Sequence, residues 1–256
     1  MAGKHIFIEK PLALNLSEAR ELCMLAQAFD RILMVGHLMQ YHPAFVKLKK
    51  LINDGDIGKL RYIYSTRLNL GKFRLEENIL WSFVPHDLSM VLALTNEMPS
   101  EIYASGSHHI RSGIHDITTM QLTFLNSIEA YIFASWLYPF KEQKLVVIGD
   151  RNMAIFNDGE SWDKKLQLCA YQINWDKGYP EPIKGEMIAV PLEVNEPLKL
   201  ECQHFIHCVL NHSNPITDGA EAVRVLEVLT VAEDSLIRKA NMDVPGESAF
   251  PFLVAK

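Results

Sequence analysis

Two side chains in this sequence have a type and a setting that suit charge and proton handling. Lys10 follows the short apolar run Ile6-Phe7-Ile8-Glu9 and precedes Pro11. A cation there lies at the edge where open α/β sheets bind ligands. His86 sits in Trp81-Ser82-Phe83-Val84-Pro85-His86-Asp87. An imidazole, with an ordinary pKa of about 6.5, exchanges protons readily near neutrality. Each residue also has a plainer reading. A lysine after a strand is usually solvated, a histidine at a helix start is often structural, and Asp87 suits a first helical turn through the helix dipole.

These residues need elements to hold them. Lys4–Glu9 reads as a buried strand, and Ser17 is placed to cap a helix running to Asp30. Ala19, Leu22, Leu25, Ala26 and Phe29 recur at helical spacing, which predicts one buried stripe. Ile32-Leu33-Met34-Val35 is a second short strand ending at Gly36-His37. Strand, helix and strand in this order form a unit of a parallel sheet. Pro43 then opens a helix, and Leu60–Asn69 alternates like a half-buried strand. Val84–Thr95 reads as helix. Strand candidates follow at Glu101–Ser107, Ile117–Phe124, Ile128–Trp136, Gln143–Ile148, Asn152–Phe156 and Leu166–Tyr171. Turns such as Asn126-Ser127 join them, so this sheet is antiparallel. Leu198–Leu210 and a helix opening at Asp218, with Glu221 as its capping-box partner, close the pattern.

Composition narrows the function. A net charge of −6 argues against nucleic acid as the main partner, because binding phosphates wants a basic face. No apolar run approaches the roughly 20 residues of a membrane span. The four cysteines lack Cys-x-x-Cys spacing and read as buried free thiols of a cytoplasmic protein. His108, His109, His115 and Asp116 match no standard zinc spacing, so no metal is expected.

Glu9-Lys10-Pro11 after a strand, Gly36-His37 with Tyr41-His42-Pro43, Gly55-Asp56-Ile57-Gly58, Trp81 to Asp87, and Pro215 with Asp218-Gly219 and Ser235 fall in one order. In that order the chain resembles the Gfo/Idh/MocA oxidoreductases along essentially its whole length. Trp136 with Lys141-Glu142-Gln143-Lys144 is most similar to the branch acting on nucleotide-linked amino sugars. The resemblance implies part of a Rossmann dinucleotide-binding domain over residues 1–37. Residues 38–256 would then be an α/β domain with a large, mostly antiparallel sheet flanked by helices. It implies hydride transfer between a sugar hydroxyl carbon and NAD or NADP, and pairing of copies through the sheet face. Lys10 would steady a developing alkoxide and His86 would take the hydroxyl proton. Glu9, Lys10, Pro11 and His37 would touch the nicotinamide end. Lys10, Arg67, Asn69, His86 and Asp87 would contact the sugar, with Arg67, Asn69 and Arg74 able to hold its phosphates.

Two departures qualify this expectation. Many members place an aspartate four residues before the histidine, and here Ser82 stands there. A dinucleotide fold also needs a Gly-rich turn for the pyrophosphate, and no Gly-x-Gly-x-x-Gly occurs in the sequence. Relative to the family the chain is expected to start late in the nucleotide-binding domain, leaving the Lys4–Glu9 strand with an open edge. A non-catalytic sugar-binding chain, or a partner within a hetero-oligomer, is the alternative expectation.

Overall fold

The computed structural model describes residues 3–240. It opens with β1 (Ile6–Glu9), α1 (Leu16–Ala28) and β2 (Leu33–Gly36). The strands run parallel from Ile6 opposite Leu33 to Glu9 opposite Gly36. Position 36 suits glycine because a Cβ there would stand 3.1 Å from Glu9 Oε2. Asn15 rather than Ser17 caps α1, its side-chain oxygen accepting from Ser17 N at 2.8 Å and Ser17 Oγ at 2.7 Å.

The expected stripe of α1 divides in two. Ala19 is buried with Leu12, Leu33, Val35, Ala222 and Leu226. Leu22, Leu25 and Phe29 are 38%, 42% and 46% exposed. With Ile6 they line an apolar groove of about 460 Å³, because no element among the described residues packs over them.

After a short 3₁₀ turn, α2 (Pro43–Asn53) begins with Pro43 in its first turn. The His42 ring accepts from Ala44 N at 3.1 Å and so caps the helix. The second unit is a sheet of β3 (Leu60–Leu68), β4 (Glu101–Ser107), β5 (Ile117–Thr123), β6 (Glu129–Ser135), β7 (Glu142–Gly149), β8 (Asn152–Asn157), β9 (Leu166–Asn174) and β10 (Glu181–Ala189). Their order is β10-β9-β8-β7-β3-β6-β5-β4. β3 and β6 run parallel, and the other neighbours are antiparallel.

β10 has no counterpart in the sequence reading. It is an edge strand, exposed almost throughout, whose Lys184 and Glu186 hide any apolar alternation. Cys202 is exposed rather than buried, while Cys169 and Cys208 are buried.

Three further helices lie among the described residues: α3 (Ile79–Thr95), α4 (Pro197–Asn211) and α5 (Gly219–Ala240). α3 starts five residues earlier than its apolar pattern suggests, because Asn78 Oδ1 accepts from Trp81 N at 3.3 Å. Val84, Leu88 and Val91 of α3, with Val225, Val228 and Leu229 of α5, share one core with Ile63, Met120, Leu122 and Ile132 of the sheet. α5 also reaches back to the first unit. Leu226 joins the α1 cluster, and Val35 N donates to Thr217 O at 2.8 Å just before the helix. This clamp fixes the end of β2 against α3 and the sheet.

Candidate active site

β1 ends at Glu9, and the Lys10 side chain then crosses to α3. Its Nζ donates to Ser82 O at 2.7 Å and lies 3.4 Å from Trp81 O. Pro85 leaves one of those carbonyls without its helical donor. Within α3 proline has no N–H to give the carbonyl four residues back, which is Trp81 O. The lysine supplies the missing donor. Burial, assisted by Arg74 and Arg67 and opposed by Glu77 and Glu9, lowers the Lys10 pKa from its ordinary value.

His86 follows one turn after Ser82 and sits in the helix interior, not at its start. Its ring is half-buried, and its Nδ1 is sealed with no hydrogen-bond partner among the described residues. Burial first, then the positive charges of Arg67, Lys10 and His37, hold its pKa well below the ordinary histidine value. The ring is therefore neutral at neutral pH and free to accept a proton. Ser82 brings no carboxylate to oppose that shift.

Arg67 and Asp87 face each other inside the protein, 6% and 1% exposed. Arg67 Nε donates to Asp87 Oδ2 at 2.5 Å, and Ser65 Oγ donates to Asp87 Oδ1 at 2.7 Å. With the Gln143 amide oriented to satisfy both ends, its oxygen accepts from Arg67 Nη1 at 3.2 Å and its nitrogen donates to Asp158 Oδ2 at 3.0 Å. Asp87 thus lies mid-helix and is neutralised by β3, not by a helix N-terminus. Asn69 stands one residue beyond β3, where its N–H meets Ser135 O at 3.1 Å. Arg74 is half-exposed and pairs with Glu77 at 3.6 Å.

His37 follows β2 and is 2% exposed. Its Nδ1 lies 2.5 Å from Glu221 Oε2, and Ser89 Oγ donates to Glu221 Oε1 at 2.7 Å. Glu221 N donates to Asp218 Oδ1 at 2.8 Å, which is the expected cap. The Glu221 side chain, however, reaches across to His37 and α3 instead of closing a capping box. That link has no local sequence signal, because its partners are more than 130 residues apart.

Glu201 of α4 adds a buried carboxyl near Glu9. It is 2% exposed, with Oε1 unpartnered among the described residues. Burial, reinforced by Glu9, pushes its pKa from 4.5 up to about 7. Such a group stabilises the fold fully below its unfolded pKa of 4.5, and the gain is lost as pH rises through about 7. Glu201→Gln is therefore expected to gain on the wild type in urea melts as pH rises across that window. An equal gap between the two proteins at every pH would contradict this.

The chain matches two families of known proteins in turn. Residues 1–37 match the oxidoreductase family, NAD-binding Rossmann fold, and residues 45–155 match the GFO/IDH/MocA C-terminal domain. The chain belongs to the Gfo/Idh/MocA oxidoreductase family. Among Gfo/Idh/MocA relatives, UDP-N-acetylglucosamine 3-dehydrogenase of Acidithiobacillus ferrooxidans is 27% identical over 227 residues, covering 88% of this chain and 69% of that protein. Myo-inositol 2-dehydrogenase of Thermotoga maritima is 32% identical over 111 residues, 41% of this chain and 33% of that one. The solved structure of the Acidithiobacillus enzyme superposes with a TM-score of 0.80 at 25% identity, over 94% of this chain and 74% of its own. A levoglucosan dehydrogenase solved with NADH and levoglucosan shares the Gfo/Idh/MocA fold at a TM-score of 0.78 and 18% identity, over 93% of this chain and 73% of its own.

Proposed function

We propose that this chain exchanges hydride between a hydroxyl carbon of a sugar or nucleotide sugar and NAD or NADP, with Lys10 and His86 at the reacting oxygen. The observation that carries this reading is the convergence on one turn of α3. Lys10, from the end of β1, is bonded to Ser82 O, and His86, held neutral by burial, follows one turn later. A relative that matches 88% of the chain, a UDP-N-acetylglucosamine 3-dehydrogenase, supports a nucleotide-linked amino sugar as substrate.

Nicotinamide, when bound, takes up or returns the hydride. The residues present suit its nicotinamide end. Glu9, Lys10, Pro11 and His37 lie at the ends of β1 and β2, where parallel sheets bind ligands. They do not form a cradle for the pyrophosphate, since the sequence has no Gly-rich turn. On the protein's side, neutral His86 accepts the hydroxyl proton at an imidazole nitrogen. Lys10 swings its ammonium from Ser82 O to the oxygen that is becoming an alkoxide, a preorganised charge worth about 2.7–4 kcal/mol in comparable sites. Asn69, at the open end of β3, contacts the sugar. Arg67 and Asp87, spent on each other, hold the helix that carries His86.

Ser82, standing where a carboxylate would support His86, favours a second reading, a chain that binds the sugar without turning it over. Calorimetry separates the two. The dehydrogenase reading expects heat with both NADH and UDP-N-acetylglucosamine, and heat with the sugar nucleotide alone supports the second. The helix-free face of the large sheet exposes Tyr62, Tyr64 and Tyr103, and we assign self-association to it. No helix among the described residues is long and apolar enough to cross a membrane.

A further inference from the structure

Among the described residues, hydrogen bonds join the first unit and the turn that follows it to α3 at two places. One is Lys10 Nζ on Ser82 O at 2.7 Å. The other is Ser89, seven residues further along the helix. Gln40 Nε2 donates to Ser89 O at 2.9 Å and to Ser89 Oγ at 3.0 Å. Ser89 Oγ in turn donates to Glu221 Oε1 at 2.7 Å, and Glu221 Oε2 lies 2.5 Å from His37 Nδ1. All four residues are buried.

The direction of each bond follows from the groups. A carbonyl only accepts, so the Gln40 atom on Ser89 O is its amide nitrogen. The Ser89 hydroxyl accepts the second N–H of that amide and gives its own proton to the carboxylate. A carboxylate only accepts, so the His37 proton sits on Nδ1. No donor or acceptor in this chain of bonds is mismatched.

Its position bears on the reaction. Ser82, His86 and Ser89 are four and three residues apart, so they share one face of α3. The two tie points are about 10 Å apart along the axis, with His86 between them. Across the joint, Glu9 lies opposite Gly36, Lys10 follows Glu9, and His37 follows Gly36. Contacts therefore close a ring. It runs from Lys10 through β1 and β2 to His37, Glu221 and Ser89, then back along α3 past His86 to Ser82. Trp81 of α3 also packs against the α1–β2 cluster, but apolar contact is non-directional and sets no register. In the reaction above, Lys10 leaves Ser82 O for the sugar oxygen. The ring is then open at that point, and the tie at Ser89 keeps the register.

We propose that Glu221 and Ser89 are positioning residues, forming a buried latch that keeps Lys10 beside the His86 turn after its ammonium has left Ser82 O. This assignment rests on the hydride-transfer reading above and names the residues that hold its two reacting groups together.

The test uses the whole chain with UDP-N-acetylglucosamine and NAD or NADP. Glu221→Ala is expected to lower kcat about 10–10²-fold with KM nearly unchanged, as for a small displacement of reacting groups. Glu221→Gln should recover most of that loss, because its amide can accept from Ser89 Oγ and donate to a His37 ring whose proton has moved to Nε2. In a Lys10→Met background, Glu221→Ala should cost little more, since the group it positions is gone. Losses that multiply in the double variant, or a glutamine no better than alanine, would overturn the latch. A second readout needs no turnover. Acetylation of Lys10 by limiting acetic anhydride, read by mass spectrometry, should speed up several-fold in Glu221→Ala, while exposed Lys50 keeps its rate. An unchanged Lys10 rate would overturn the latch. Should Glu221→Ala fail to fold, Ser89→Ala replaces it in both readouts. A wild type that transfers no hydride would overturn the dehydrogenase reading, and the Lys10 acetylation rates would then decide the latch alone.

Discussion

Asp87→Ala is expected to remove about 3–5 kcal/mol of stability, because it leaves the Arg67 guanidinium charged and buried without its partner. Arg67 Nε loses its 2.5 Å acceptor, Ser65 Oγ loses its 2.7 Å acceptor, and neither can turn to water from the inner face of β3. The double variant Arg67→Met with Asp87→Leu should recover most of that loss, since an apolar pair of similar volume demands no desolvation of charge. Denaturant melts of the two singles and the double measure both quantities. A loss below about 1 kcal/mol in the single would mean the pair behaves like a surface salt bridge. The burial of both residues would then be contradicted.

The second large effect concerns chemistry. Lys10→Met keeps the length of the side chain and removes its charge and its donors, so the developing alkoxide loses its cation. Turnover should fall about 10²–10³-fold. The fall should appear in kcat and kcat/KM together, because the contact is made in the transition state and not with the resting hydroxyl. In the free protein Ser82 O and Trp81 O lose their donor as well. A stability change without a loss of rate would give Lys10 a purely structural role as the helix donor that Pro85 fails to provide.

Much of the architecture could be read from local pattern. The strand–helix–strand opening, the helix after Pro43 and the run of hairpins all follow from period, cap and turn residues. Other features turned on contacts that the sequence does not display. Asn15 and Ser17 are both good caps within three positions, and only the observed hydrogen bonds choose Asn15. Pro85 suggests a helix start, yet Asn78 begins the helix earlier and the proline instead leaves Trp81 O, 3.4 Å from Lys10 Nζ, without its helical donor. The stripe of α1 was legible as apolar, but its burial depends on neighbours, and Leu22, Leu25 and Phe29 have none among the described residues.

The candidate site was legible as residue types and not as a set of partners. Lys10 and His86 stand out by motif, whereas the Arg67–Asp87 pair and the His37–Glu221–Ser89 link join residues 20 to 184 positions apart. Long-range pairing of this kind leaves no periodicity to read.

The most direct test of the central claim is isotope transfer under single-turnover conditions, with protein in excess over nucleotide. UDP-N-acetylglucosamine carrying deuterium at C3 is incubated with NAD or NADP, and the nicotinamide is analysed by mass spectrometry. Deuterium on the nicotinamide with the wild-type chain, strongly reduced in Lys10→Met, is the result this account predicts. A folded wild-type chain that binds the sugar nucleotide and transfers no deuterium would contradict it.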